Sequence, residues 1–147
     1  MKSILIALCT LAIFAACDNK TEDRSEGNGQ VQTNQETTPP AITKNVEVEE
    51  FDKKLKETPG AQLIDVRTPE EYMDGHIAKA VNLNFYDDLF AQNLERLDKS
   101  SPVFVYCKSG GRSSNAMNLM KEKGFSEVYN LQGGITAWGK ASKNIVQ

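Results

Sequence analysis

This chain of 147 residues holds few special-purpose residues: one histidine, one tryptophan and three cysteines. One histidine excludes a His-rich metal site, and no metal ligand set stands out. Three scattered cysteines exclude the disulfide framework of a small secreted scaffold. A formal net charge of −3 removes the basic footprint expected of a nucleic-acid binder. The length allows one domain with appendages and would cramp a two-domain enzyme. At 39% hydrophobic and 25% charged residues, the balance is that of an ordinary globular protein. Any chemistry must therefore rest on few residues.

The first stretch reads as an address. Lys2 gives a basic start, residues 4–14 form an apolar run, and Ala15-Ala16-Cys17 make a small-residue end. That order marks residues 1–16 as a secretory signal peptide. The run falls short of the roughly 20 residues of a membrane span. Ala15-Ala16-Cys17 resembles the lipobox of bacterial lipoproteins, with Phe14 where that pattern usually has leucine. The resemblance implies lipidation of Cys17 and a lipid anchor holding the chain to a bacterial membrane, on the periplasmic side or in the cell envelope. Simple cleavage after Ala16 is the alternative, and Asp18 leaves inner or outer membrane open.

Residues 17–41 read as a disordered polar tether. From Asp18 to Ala41 only Val31 and Ala41 are apolar, and Pro39-Pro40 close the segment. Such a composition buries too little surface to offset the entropy of ordering. The tether carries two bases against five acids, while residues 42–147 carry fourteen against fifteen. The domain is nearly neutral, so nothing suggests a polyanionic or polycationic substrate.

From Ile42 onward strands and helices alternate. Val46-Glu47-Val48 reads as a short strand entering a helix over residues 49–56, with Phe51 and Leu55 on one face. Residues 62–66 suit a buried strand. Thr68-Pro69-Glu70-Glu71 is a helix start, with Thr68 as N-cap, Pro69 at the first position and Glu71 closing a capping box. A short strand is expected at 80–83, a helix at 88–97, and the strongest strand at 102–106. A helix follows over 113–123, with Met117 and Met120 on its buried side, then a strand at 127–131. Gly133-Gly134 make a turn, and a terminal helix opens at 135–138 with Trp138 in the core. This order predicts an α/β fold, a parallel sheet of about five strands with helices on both faces. Sites in such sheets sit at the carboxyl ends of central strands, where Cys107 falls.

The segment Cys107-Lys108-Ser109-Gly110-Gly111-Arg112-Ser113 carries the chemistry. A cysteine ending a buried strand begins a tight loop that feeds directly into a helix. Gly110 and Gly111 give the backbone freedom to aim successive amides inward, as an anion nest. The helix start adds its positive end, and Lys108 and Arg112 add full charges. Each effect favours thiolate at Cys107, so its pKa is expected below that of a free thiol without a histidine base. With Cys9 cleaved away and Cys17 lipidated, Cys107 is the one remaining thiol. The bland alternative is an inert buried cysteine.

These residues, with two further stretches in order, resemble the single-domain rhodanese family of sulfurtransferases over residues 42–147. The first stretch is Leu63-Ile64-Asp65-Val66-Arg67, with Glu71-Tyr72, Gly75-His76-Ile77, Ala80 and Asn82 beyond it. The loop matches the family's Cys-x-x-Gly-x-Arg-Ser pattern. The third stretch runs from Val128 to Trp138. Lys79 stands where the family usually has glycine. The resemblance implies that Cys107 takes the outer sulfur of a donor anion such as thiosulfate as a persulfide. A thiol or cyanide acceptor then removes it. No other cofactor is implied, and nothing demands more than a monomer.

Cys107 to Arg112 is Cys-x4-Arg, one residue shorter than the loop of tyrosine phosphatases and their relatives. A shorter ring suits one sulfur rather than the three equatorial oxygens of a phosphoryl group or an arsenate. Asp65 and Arg67 share a strand face. They are either a structural charged pair or a support from which Arg67 meets a substrate anion. Arg112 points either toward donor anions or away to brace the loop. His76 is expected to hydrogen-bond in a turn. Against the enzyme stands a non-catalytic sulfide carrier, redox or partner-binding module.

Overall fold

The computed structural model describes residues 41–147; the expected signal peptide, the expected lipidation site Cys17 and the expected tether up to residue 40 lie outside them. The chain opens with β1 (Ile42–Val46) and α1 (Val48–Glu57), followed by β2 (Gln62–Asp65) and α2 (Pro69–Met73). Two short strands follow, β3 (His76–Ile77) and β4 (Val81–Asn82), then α3 (Phe90–Asn93). The second half holds β5 (Val103–Tyr106), α4 (Gly111–Glu122), β6 (Glu127–Leu131), α5 (Gly134–Lys140) and β7 (Ile145–Val146).

Five strands form one parallel sheet in the order β1-β6-β5-β2-β4. β5 lies at its centre, and all four of its residues are buried. Side chains alternate across a strand, and the two faces of β5 feed two separate cores. Phe104 and Tyr106 pack with Phe51 of α1 and Trp138 of α5. Val103, Val105 and Cys107 pack with Ala116, Met117 and Met120 of α4 and with Phe90 and Leu94. The expected α/β architecture is thus present, with helices on both faces. Phe51 meets Phe104 edge-on at 5.2 Å between ring centroids. Full burial of each ring contributes roughly 1.5–3 kcal/mol.

Several local expectations change. The first strand ends at Val46 rather than beginning there, because Val48 opens α1 and turns into the core. The helix expected over 88–97 is a single turn of α3 followed by a 3-10 turn at Leu94–Arg96. The Asp87 carboxylate accepts from the Leu89 amide at 2.7 Å, and the Asp87 amide donates to the Asn84 carbonyl at 3.1 Å. These local bonds hold the segment in turns in place of a helix start. The strand at 80–83 contracts to β4. An unforeseen antiparallel ribbon joins β3 to β7, pairing His76 with Val146 and Ile77 with Ile145.

α2 keeps its full capping box. The Glu71 amide donates to Thr68 Oγ1 at 3.3 Å, and the Thr68 amide donates to Glu71 Oε2 at 3.2 Å. Lys79 has φ +70°, a left-handed conformation unusual for a side chain other than glycine.

Candidate active site

β5 delivers Cys107 to the carboxyl edge of the sheet, and the chain turns at once into α4. Gly110 is the residue that makes this turn possible, at φ +101°. A β-carbon there would stand 3.3 Å from the Gly133 amide nitrogen. Gly111 is different: it lies within α4, and a β-carbon on it would meet open space. The expected need for special backbone freedom falls on Gly110 alone.

The loop is shaped from behind by the first turn of α5. The amides of Ile135 and Thr136 donate to the carbonyls of Cys107 and Lys108 at 2.9 and 3.1 Å, and Thr136 Oγ1 reaches Lys108 at 2.8 Å. With its carbonyls held outward, the loop presents its amides inward. The Gly110 amide donates to Cys107 Sγ at 3.1 Å, and Ser113 Oγ lies 3.4 Å from the same sulfur. The Gly110 carbonyl in turn accepts from Ser114 N at 3.0 Å and Asn130 Nδ2 at 3.3 Å, and at 3.1 Å from Ser113 Oγ it shares that hydroxyl's single hydrogen with Cys107 Sγ.

These bonds decide the state of the sulfur. Burial alone pushes the Cys107 thiol up, since a charge loses solvation. The Ser113 hydroxyl and the amides of Ser113, Ser109 and Gly110 outweigh it, and the net pKa falls below the ordinary thiol value. Cys107 as a residue is only 1% exposed, and Ser113 is fully buried. Lys108 and Ser109 are exposed at the rim.

Two ion pairs surround the loop. Arg112 is held by Glu71 in a two-pronged contact, Nη1 to Oε2 at 2.7 Å and Nη2 to Oε1 at 2.9 Å. Its guanidinium also lies over the Tyr86 ring, 5.6 Å from the centroid. The bonds from Arg112 hold the Glu71 carboxyl down to about 2, and Glu71 raises the pKa of Arg112. Deeper, Arg67 Nη2 meets Asp65 Oδ2 at 2.6 Å while Nε bridges both Asp65 oxygens at 3.0 and 2.9 Å. Nη2 also donates to the Gly75 carbonyl at 2.7 Å. Asn82 Nδ2 ties the Asp65 and Arg67 carbonyls together at 3.0 and 2.9 Å.

A rhodanese-like domain model matches residues 47–141. The chain belongs to the rhodanese-like family. It is 35% identical over 88 residues to a thiosulfate sulfurtransferase of Shewanella oneidensis, covering 60% of this chain and 85% of that protein. It is 43% identical over 79 residues to an uncharacterized Bacillus subtilis protein, covering 54% of this chain and 61% of that one. Among solved structures, a rhodanese-like domain protein of Staphylococcus aureus matches with a TM-score of 0.59 at 31% identity, over 65% of this chain and 91% of that one. Family membership and sulfurtransferase relatives support a rhodanese-type transferase at the family level.

Within the rhodanese-like domain, the residues singled out from sequence occupy different positions. Cys107, Gly110 and Ser113 form the sulfur's immediate surroundings. Arg67 is 5% exposed and has Nε and Nη2 engaged by Asp65 and Gly75, the arrangement of a support. Arg112 braces the loop against α2. His76 Nδ1 lies 3.1 Å from the Tyr72 carbonyl, and its ring stacks on Tyr72 at 3.8 Å.

Sequence reasoning missed four contributors. Glu71 was visible as a capping residue and as part of the first stretch, with no role at the loop, yet Oε2 serves both the cap and Arg112. Thr136, Asn130 and Gly134 act through the third stretch, which carried a resemblance without roles. The doubled glycine at 133–134 was the available signal. A β-carbon on Gly134 would overlap the Cys107 carbonyl oxygen and stand 2.6 Å from the Lys108 carbonyl carbon.

Proposed function

We propose that this chain is an exported, lipid-anchored sulfurtransferase that moves a sulfane sulfur through a persulfide on Cys107. One observation carries the proposal: the Gly110 amide and the Ser113 hydroxyl both address Sγ. Donors arranged for a sulfur anion stabilise the resting thiolate and the persulfide that extends it by one atom.

In the first half-reaction the Cys107 thiolate attacks the outer sulfur of thiosulfate. A sulfur–sulfur bond forms to Cys107, the bond to the sulfonate sulfur breaks, and sulfite leaves with that electron pair. In the second, an acceptor thiolate or cyanide attacks the outer persulfide sulfur and departs as persulfide or thiocyanate, restoring Cys107. No oxidant or further cofactor enters. This is ping-pong covalent catalysis. The Shewanella relative's name supports thiosulfate as the donor class. The four residues between Cys107 and Arg112 favour sulfur over phosphoryl or arsenate chemistry. The donor enters past Lys108 and Ser109, the exposed part of the loop. Cys17 supplies the anchor, and the chain works as a monomer.

The test is intact mass of the full chain after thiosulfate treatment, paired with thiosulfate-dependent thiocyanate formation. A gain of one sulfur, about 32 Da, that Cys107→Ser abolishes is the expected result. Sulfur loading that persists in the variant overturns the assignment. A non-turning carrier is the second reading, favoured by the 1% exposure of Cys107; it predicts loading without thiocyanate turnover. Loss of lipid labelling in Cys17→Ala tests the anchor.

A further inference from the structure

A cavity of about 540 Å³ lies at the amino end of β2, under the carboxyl half of α1. Cys107 follows the carboxyl end of β5, which runs parallel to β2, so the two sites lie at opposite ends of the sheet. The cavity is within the 300–1,000 Å³ range of small-molecule sites. Leu55, Leu63, Ile77 and Trp138 contribute apolar walls. The Trp138 Nε1 hydrogen is already given to the Asn144 carbonyl at 3.0 Å, so the indole offers an occupant only apolar surface.

The rim has a different character. Lys56, Lys79 and Lys143 line it against one acid, Asp52. Asp52 is contacted by Lys56 and by Lys143, each at 2.8 Å, and Lys143 also holds Glu49 at 2.8 Å. Lys79 has no carboxylate within ion-pair distance among the described residues. It is also the residue at φ +70°, where the family pattern usually has glycine. The departure from that pattern therefore places an unmatched cation beside a cavity of mixed apolar and polar lining, in a conformation that a side chain adopts at a cost.

We propose that this cavity binds a small amphipathic carboxylate, its apolar body against Leu55, Leu63, Ile77 and Trp138 and its charged head at Lys79. Apolar burial supplies attraction, and the unpaired lysine selects an anion over a neutral molecule of the same shape.

Trp138 is the chain's one tryptophan, so its emission reports on the cavity without a label. Octanoate titrated into the full chain should change that emission saturably, with a Kd on the order of 1 mM. The thermal midpoint should rise with it. Octanamide should bind at least about fivefold more weakly, and acetate should give no saturation. Lys79→Gly, which suits the local backbone, should fold and weaken octanoate about fivefold while Lys121→Ala leaves it unchanged. The absence of saturation by either readout overturns the proposal. So does equal binding of octanamide and octanoate, the result expected if the cavity takes an uncharged acyl chain. Undiminished octanoate binding in Lys79→Gly overturns it as well.

Discussion

Arg112 and Glu71 face each other across 41 residues of chain in a two-pronged contact at 2.7 and 2.9 Å. The pair fastens the start of α4 to the start of α2, and so fixes the far side of the loop that surrounds Cys107. Glu71→Gln retains a capping side chain but removes the ion pair. With the Glu71 pKa held down to about 2 from an ordinary 4.5, the pair stabilises the fold fully above about pH 4.5. It loses that contribution as pH falls toward 2. The contact is partly screened, so we expect a loss of about 1–2 kcal/mol in Glu71→Gln at pH 7, fading toward pH 2. Urea midpoints of both proteins across pH 2–7 measure it, and a constant gap at all pH values refutes the ionic origin.

Ser113 is the largest source of the lowered Cys107 pKa. Below that pKa the thiol predominates and above it the thiolate, so the rate of alkylation by iodoacetamide rises with pH through it. Ser113→Ala removes one hydrogen bond, worth about 1 kcal/mol, from the charged form. The profile should move to higher pH and the rate at neutral pH should fall about fivefold. An unmoved profile would leave the amides alone as the cause.

Gly134 and Gly111 should respond oppositely to alanine. At Gly134, φ is +58° and the new methyl group would press on the Cys107–Lys108 backbone. We expect a loss of roughly 2–4 kcal/mol in chemical denaturation. Gly111 sits in α4 with nothing within 4 Å of a β-carbon. There alanine should be neutral or stabilise by up to about 1 kcal/mol.

The contrast between these glycines shows what a sequence reveals and what it conceals. The sheet, its two covered faces and Cys107 at the carboxyl end were legible because strand alternation, capping residues and glycine punctuation are local patterns. Thr68 to Glu71 announced α2 for that reason. The partners of the loop were hidden because they arise from tertiary contact. Nothing local says that Thr136 caps Lys108, or that Glu71 serves Arg112 as well as its own helix. Asp87 misled for a related reason: its side chain bonds the Leu89 amide and shortens an apolar stripe that otherwise reads as a longer helix. The β3–β7 ribbon pairs two-residue segments, too short for any periodicity to signal.

Asp65 is fully buried and Arg67 is 5% exposed, so their ion pair is worth testing as a unit. Such a pair gains little over apolar groups of the same size, yet breaking one side leaves a buried charge without its partner. Asp65→Asn should therefore cost about 3–5 kcal/mol, with the Arg67 guanidinium left facing a neutral amide. Arg67→Met should cost a comparable amount by stranding the Asp65 carboxylate. The double variant Asp65→Asn/Arg67→Met removes both charges and should cost less than the sum of the two single losses, by a coupling of about 2–3 kcal/mol. Urea denaturation of the four proteins closes the cycle. If the two single losses simply add, the pair is not a unit, and Arg67 must draw its support from the Gly75 carbonyl instead.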